Sequence, residues 1–146
     1  MLTKLKAYLN RRFTLEEING GGRCPTYLYR RIILSTRWFK VYLHKFVADD
    51  WSLDLHDHPK RFVSIGLWGS YRETTPKGEQ RFRAPWIRSF PAEHLHRIAL
   101  TSKTCWTLVI VFSASRKWGF VHNGQWIGWR EYVGSETATQ MKSCGD

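Results

Sequence analysis

Four of the six histidines fall in two His-x-His pairs, His56 and His58 in "LHDHPKRF" and His94 and His96 in "PAEHLHRI". On extended backbone, residues two apart point to the same side, so each pair offers two imidazoles to one face. Pro59 reinforces this by holding His58 in extended backbone angles. Neutral imidazole is the commonest protein ligand for zinc, iron, nickel and copper, and an ion needs at least three such groups converging. Two strand-borne pairs meet that need when their strands are antiparallel neighbours. The plainer alternative is a polar corner leading into a strand. His44, in "YLHKF", reads as a strand histidine hydrogen-bonded to a neighbour, with a place on the same cavity as the alternative. His122, beside an Asn-Gly turn, reads as exposed.

Strands must position these groups. After residue 20 the chain has almost no helical period. Residues 26–35, 37–47, 60–75, 81–90, 95–101 and 105–113 are rich in aromatic and β-branched residues and bounded by polar turns. Residues 60–75 read as one long strand with Gly66 and Gly69 as bends. "KWGFV" and "QWIGWREYV" flank "HNG" as a hairpin. About eight closely spaced strands imply an antiparallel sandwich or small barrel. Ahead of them, residues 2–12 place Leu2, Leu5, Tyr8 and Leu9 on one helical face. That face is expected to pack on the domain's own sheet, with a membrane surface as the alternative. The organisation expected is a basic helical segment over 1–20, a barrel over 26–133 and a disordered tail over 134–146.

The chain of 146 residues carries a net charge of +11 at pI near 10.0, with 42% hydrophobic and 15% aromatic residues. Its size suits one domain with a real core, and its aromatic content excludes disorder. Residues 1–45 hold ten Lys or Arg against Glu16 and Glu17 alone. Such a surface attracts polyanions, so nucleic acid or a nucleotide is a candidate partner. No recognisable nucleic-acid-binding motif accompanies the charge. No apolar run is long enough for a membrane span, and no secretory signal is read at the N-terminus. Cys24, Cys105 and Cys144 are few, odd in number and far apart, which points to a reducing compartment without a disulfide framework. A cytoplasmic protein is expected, in the host cytoplasm if it is phage-encoded.

"LHDHPKRFVSIGLWGSYRE" followed by "FPAEHLHRIAL" resembles the two motifs of the cupin superfamily. His56 and His58 match the first motif's His-x-His and Gly69 its terminal glycine. Pro91 and His96 match the second motif. The resemblance spans residues 28–121, and the chain looks most like small single-domain cupins of phages and actinobacteria. It implies an all-β, cupin-type double-stranded β-helix (a jelly-roll barrel) with a short N-terminal helix. It also departs from the pattern. Phe62 stands where the motif's Glu would fall, Glu93 replaces a Gly, and Leu100 replaces an Asn.

The implied metal set is therefore His56, His58 and His96, as in thiol dioxygenase-type cupins, with His94 or Glu93 as a fourth ligand. The metal would be iron, nickel or zinc. Asp54, Asp57 and Glu93 are candidates for accepting the imidazole N–H groups not used for the metal. Asp57 also suits a salt bridge with Lys60 or Arg61. Arg72, Arg83 and Arg97, with Arg88, are candidates for gripping an anionic substrate. Three protein ligands leave open positions, which favours a catalytic ion. The expected function is a metal-dependent cupin enzyme acting on a small anionic molecule, an oxygenase ahead of an isomerase or lyase. The alternatives are a non-catalytic ligand-binding cupin and a basic nucleic-acid-binding protein. Homodimerisation is a further expectation.

Overall fold

The computed structural model describes residues 1–145, and for residues 9–11 the backbone only. The helix α1 (Leu2–Arg12) leads into twelve strands: β1 (Leu15–Ile18), β2 (Leu28–Ser35), β3 (Phe39–Phe46), β4 (Leu55–His56), β5 (Phe62–Trp68), β6 (Ser70–Thr75), β7 (Gly78–Arg83), β8 (Trp86–Phe90), β9 (Arg97–Leu100), β10 (Cys105–Phe112), β11 (Gly119–His122) and β12 (Gln125–Gly128). Two short helices close the chain, α2 (Trp129–Val133) and α3 (Glu136–Gln140).

One layer is a six-stranded sheet in the order β1-β2-β3-β10-β5-β8, antiparallel throughout. Facing it are two three-stranded sheets, β12-β11-β4 and β7-β6-β9. A bridge between His56 and His96 joins them, each backbone N–H donating to the other's carbonyl at 3.0 Å. The second layer is thus two half-sheets stitched together at the histidines. Inward residues of β10 (Cys105, Thr107, Val109) are buried, whereas the intervening Trp106, Leu108 and Ile110 are partly exposed, the period of two a strand imposes.

The segment 60–75 is not one strand. At Gly69, φ is +86°, and the chain leaves the first layer as β5 and enters the second as β6. Glycine accepts that angle without a Cβ penalty, and a Cβ here would collide with the Thr104 carbonyl oxygen. Residues 81–90 are likewise divided, β7 ending and β8 beginning around the Ala84–Pro85 peptide. The stretch 125–133 is strand only to Gly128, then helix α2.

The expectation of a disordered tail is overturned for residues 134–145. Ser135 caps α3 through its Oγ, which accepts from the Ala138 N–H. Tyr132 is fully buried, stacked on Phe120 at 4.1 Å, and its hydroxyl donates to Asp54 at 2.7 Å. Cys24 and Cys144 form a disulfide across 120 residues, against the expectation of unpaired thiols. That bond suits an oxidising compartment better than the reducing one expected. Asp146 lies outside the described residues. Closing so long a loop constrains the unfolded chain, so Cys144→Ser is expected to destabilise the protein by about 2–4 kcal/mol. Thermal melting with and without reductant checks this; identical melting temperatures would show that the bond contributes nothing.

The helix α1 forms where its apolar period predicts, but the described side chains of its apolar face are exposed instead of packing on the sheet. Leu2, Leu5 and Tyr8 are 82%, 53% and 58% exposed, and the Leu9 side chain lies outside the described residues. No helix among the described residues is long and apolar enough to cross a membrane.

Candidate metal centre

His56 and His58 enter from β4 and the turn after it, and His96 from the residue preceding β9. The β4–β9 bridge therefore sets two backbones side by side with three imidazoles on the inner face. Their ring centroids lie 5.1 Å (His56–His58), 5.0 Å (His56–His96) and 4.8 Å (His58–His96) apart. One nitrogen from each falls within 4.8 Å of the other two, and the Nε2 atoms of His58 and His96 are 2.9 Å apart. Burial, then the neighbouring histidines, pushes the pKa of His56 and of His58 well below the ordinary value. Both are accordingly neutral near pH 7, the form in which a ring nitrogen can bind a metal. A nitrogen-only, partly buried donor set fits a divalent transition ion such as iron, nickel or zinc.

The carboxylate behind this set is Glu73 on β6, which the sequence reading overlooked. It is 2% exposed. His96 Nδ1 donates to its Oε1 at 2.7 Å, which fixes the ring's orientation and leaves Nε2 facing the cluster. His94 Nε2 donates to the same oxygen at 2.9 Å, and Arg88 Nη2 donates to Oε2 at 2.6 Å. Burial pushes the Glu73 carboxyl up, but hydrogen bonds from His94, His96 and Arg88 outweigh it and hold it well below the usual carboxylate range. His94 thus joins Glu73 and His96 in a second grouping and stands away from the three-imidazole set. Asp50, also overlooked, is buried with its Oδ2 4.0 Å from His56 Nδ1.

The remaining expected residues separate. Asp54 accepts from His122 Nδ1 (2.9 Å) and from the Tyr132 hydroxyl. Asp57 accepts from Arg116 (2.8 Å), the Gly119 N–H (2.7 Å) and Trp126 Nε1 (3.1 Å), so its salt-bridge partner is Arg116 rather than Lys60 or Arg61. Neither orients a ring of the three-imidazole set. Glu93 is exposed and lies 3.8 Å from Arg116, away from the imidazoles. Arg72 is exposed and pairs with Glu79, and Arg83 is exposed at the end of β7. Arg97 is committed to the Ser52 carbonyl and Asp49. Phe62 packs its ring 4.7 Å from His58 and 4.8 Å from Phe90. An apolar wall stands beside the imidazoles where the motif's Glu was sought.

The three imidazoles line a cavity of about 850 Å³ between the layers. Its walls are mainly aromatic and aliphatic, and Arg30, Arg37, Lys40 and Lys60 supply its cations. His44 lines it too, with its Nε2 buried and unpartnered. Burial, with Arg30 adding repulsion, lowers the His44 pKa to about 3. Below about pH 6.5 the unfolded chain binds a proton that folded His44 refuses. Its contribution is therefore intact above that pH and lost on acidification, by about 1.4 kcal/mol per pH unit. In denaturant titrations at pH 4–6.5, His44→Leu should flatten the acid slope by about that amount; parallel slopes would contradict the assignment.

No family model matches the sequence, and no curated protein is significantly similar to it. Solved structures are. A cupin-2 domain protein from Rhodospirillum rubrum superposes with a TM-score of 0.60 at 11% identity, covering 76% of each chain. The chain has the cupin fold. The polyketide cyclase RemF from Streptomyces resistomycificus superposes with a TM-score of 0.58 at 16% identity, over 79% of this chain and 84% of its own. A cupin-superfamily sugar phosphate isomerase from Silicibacter pomeroyi gives 0.52 at 16% identity, over 65% of this chain and 66% of its own. The expected double-stranded β-helix with a short N-terminal helix is thus the observed architecture, and within this fold His56 and His96 bridge the seam of the second layer.

Proposed function

We propose that this cupin is a metal-dependent enzyme acting on a small anionic molecule bound in the cavity between its layers. The observation that carries the reading is the convergence of His56, His58 and His96 on the wall of a cavity that also holds four cationic side chains. His56, His58 and His96 would hold a divalent transition ion, which would supply Lewis-acid or redox chemistry to a ligand in the cavity. The protein's own groups prepare the site. Glu73 holds the His96 Nδ1 proton, so the Nε2 lone pair stays available, and Phe62 packs against His58 while Phe90 packs against His96. The cyclase and isomerase activities named for two structural neighbours support an enzyme over a plain binding module. Among reaction types we favour an oxygenase with O2 as co-substrate, ahead of an isomerase or lyase, because the converging ligand atoms of this grouping are all imidazole nitrogens.

Chelator-stripped protein titrated with Fe(II), Ni(II) and Zn(II) by calorimetry tests the reading. About one saturable site per chain is expected for at least one of the ions. Absence of saturable binding for all three would overturn it.

A further inference from the structure

The inner face of β3 presents Lys40, Tyr42, His44 and Phe46 in succession, and all four line the cavity. Strand geometry spaces Lys40 and His44 by about 13 Å. Their partners on β10 are Val111 and Thr107, which line the cavity as well, so the two ends of this row are genuine inward positions.

The two ends differ in chemistry. Around Lys40 the cavity also reaches Arg37 and Lys60, and none of these three cations has a carboxylate within ion-pair distance among the described residues. Arg30 is different, since Glu16 at 2.6 Å already neutralises it. Three cations without a carboxylate partner, Arg37 lying over the Trp38 ring at 4.7 Å, suit a carboxylate or phosphate. At the other end, the His44 ring sits between Tyr42 and Phe46, with centroids 5.9 Å from each. Among the described residues its buried Nε2 has no partner, which leaves a polar atom unsatisfied until a ligand meets it. The same ring is held neutral, and neutral imidazole both donates and accepts, which matches a hydroxyl or carbonyl. Between the two ends the walls are largely aromatic and aliphatic, a surface that favours a flat apolar body over a polyhydroxylated one.

We infer that the cavity binds an anion with a flat apolar body, its charge held by Arg37, Lys40 and Lys60 and a hydroxyl or carbonyl at its far end hydrogen-bonded by His44. This rests on the reading of the cavity as the ligand site, and it assigns the class of ligand. His44 is then a specificity-determining residue outside the three-imidazole set.

Three probes separate the contacts: 6-hydroxy-2-naphthoate, 2-naphthoate without the hydroxyl, and 2-naphthol without the carboxylate. Dissociation constants are read by calorimetry on the full chain, with the metal content of each preparation measured in parallel. In the natural protein, loss of the hydroxyl should weaken binding about tenfold. In His44→Leu, and in His44→Phe as a second variant that keeps the wall filled, that difference should vanish. Lys40→Gln should weaken both naphthoates about fivefold or more and leave 2-naphthol unchanged. Equal binding of the two naphthoates to the natural protein, survival of their difference in both His44 variants, or no saturable binding of the hydroxynaphthoate would each overturn the inference. The metal measurement keeps the two readings apart. Metal-loaded protein that ignores the probes sinks this inference alone, and metal-free protein that shows the full probe pattern sinks the metal reading alone.

Discussion

Glu73→Ala is expected to destabilise the protein by about 3–5 kcal/mol, the range seen when one partner of a buried ion pair is removed. Glu73 is 2% exposed and accepts from three donors, His94, His96 and Arg88. Removing it strands a guanidinium that also lies over the Phe82 and Phe90 rings, at 3.6 and 4.5 Å. Because the carboxyl titrates well below 4.5, its contribution is fully present above that pH and fades only under stronger acid. Glu73→Gln keeps the shape and loses the charge. It should cost less stability yet still lower metal affinity by about tenfold or more, through the freed His96 ring. Denaturant unfolding and metal titration of the two variants check both parts. A Glu73→Ala protein as stable as the natural one, or a Glu73→Gln protein with unchanged metal affinity, would refute the role given to this carboxylate.

The second large effect concerns the imidazoles. Replacing His56 and His58 together by alanine leaves His96 as the sole member of the cluster, and one nitrogen does not hold a transition ion in competition with water and buffer. Metal binding should fall below detection in the double variant. The fold should survive, because both side chains face the cavity and the β4–β9 bridge uses backbone groups only. Circular dichroism confirms the second point. A folded double variant with undiminished metal content would put the site elsewhere, and the grouping of Glu73, His94 and His96 would be the first place to look.

Much of this centre was legible in the residues. Alternation predicts His56 and His58 on one face, and the antiparallel bridge between His56 and His96 brings the two stretches together. His94 shows where that logic stops. It shares its spacing with His96 but sits in the turn between β8 and β9, where the period of two no longer governs direction, and it turns to Glu73. Glu73 reaches His96 only because β6 pairs with β9, a contact made by register and not by neighbourhood in sequence. One signal was available: no other acidic residue lies between Asp57 and Glu79.

The arginines failed for a related reason. Tyr71 and Glu73 point inward on β6, so Arg72 between them must point outward. Reading 60–75 as an unbroken strand concealed that parity, since Gly69 resets it. The cavity cations come instead from β2, the β2–β3 connection, the start of β3 and the turn after His58. The disulfide was invisible to local pattern because its cysteines are 120 residues apart. The ordered tail depends on it and on the buried Tyr132 hydroxyl, neither of which leaves an apolar period to read.

The metal content of the full chain, purified without a histidine tag and analysed by inductively coupled plasma mass spectrometry, is the most direct test. A metal centre at the three imidazoles predicts close to one equivalent of iron, nickel or zinc per chain, lost in the His56→Ala/His58→Ala double variant. Less than about a tenth of an equivalent of every transition metal, in protein that also fails to take up these ions after reconstitution, would contradict it.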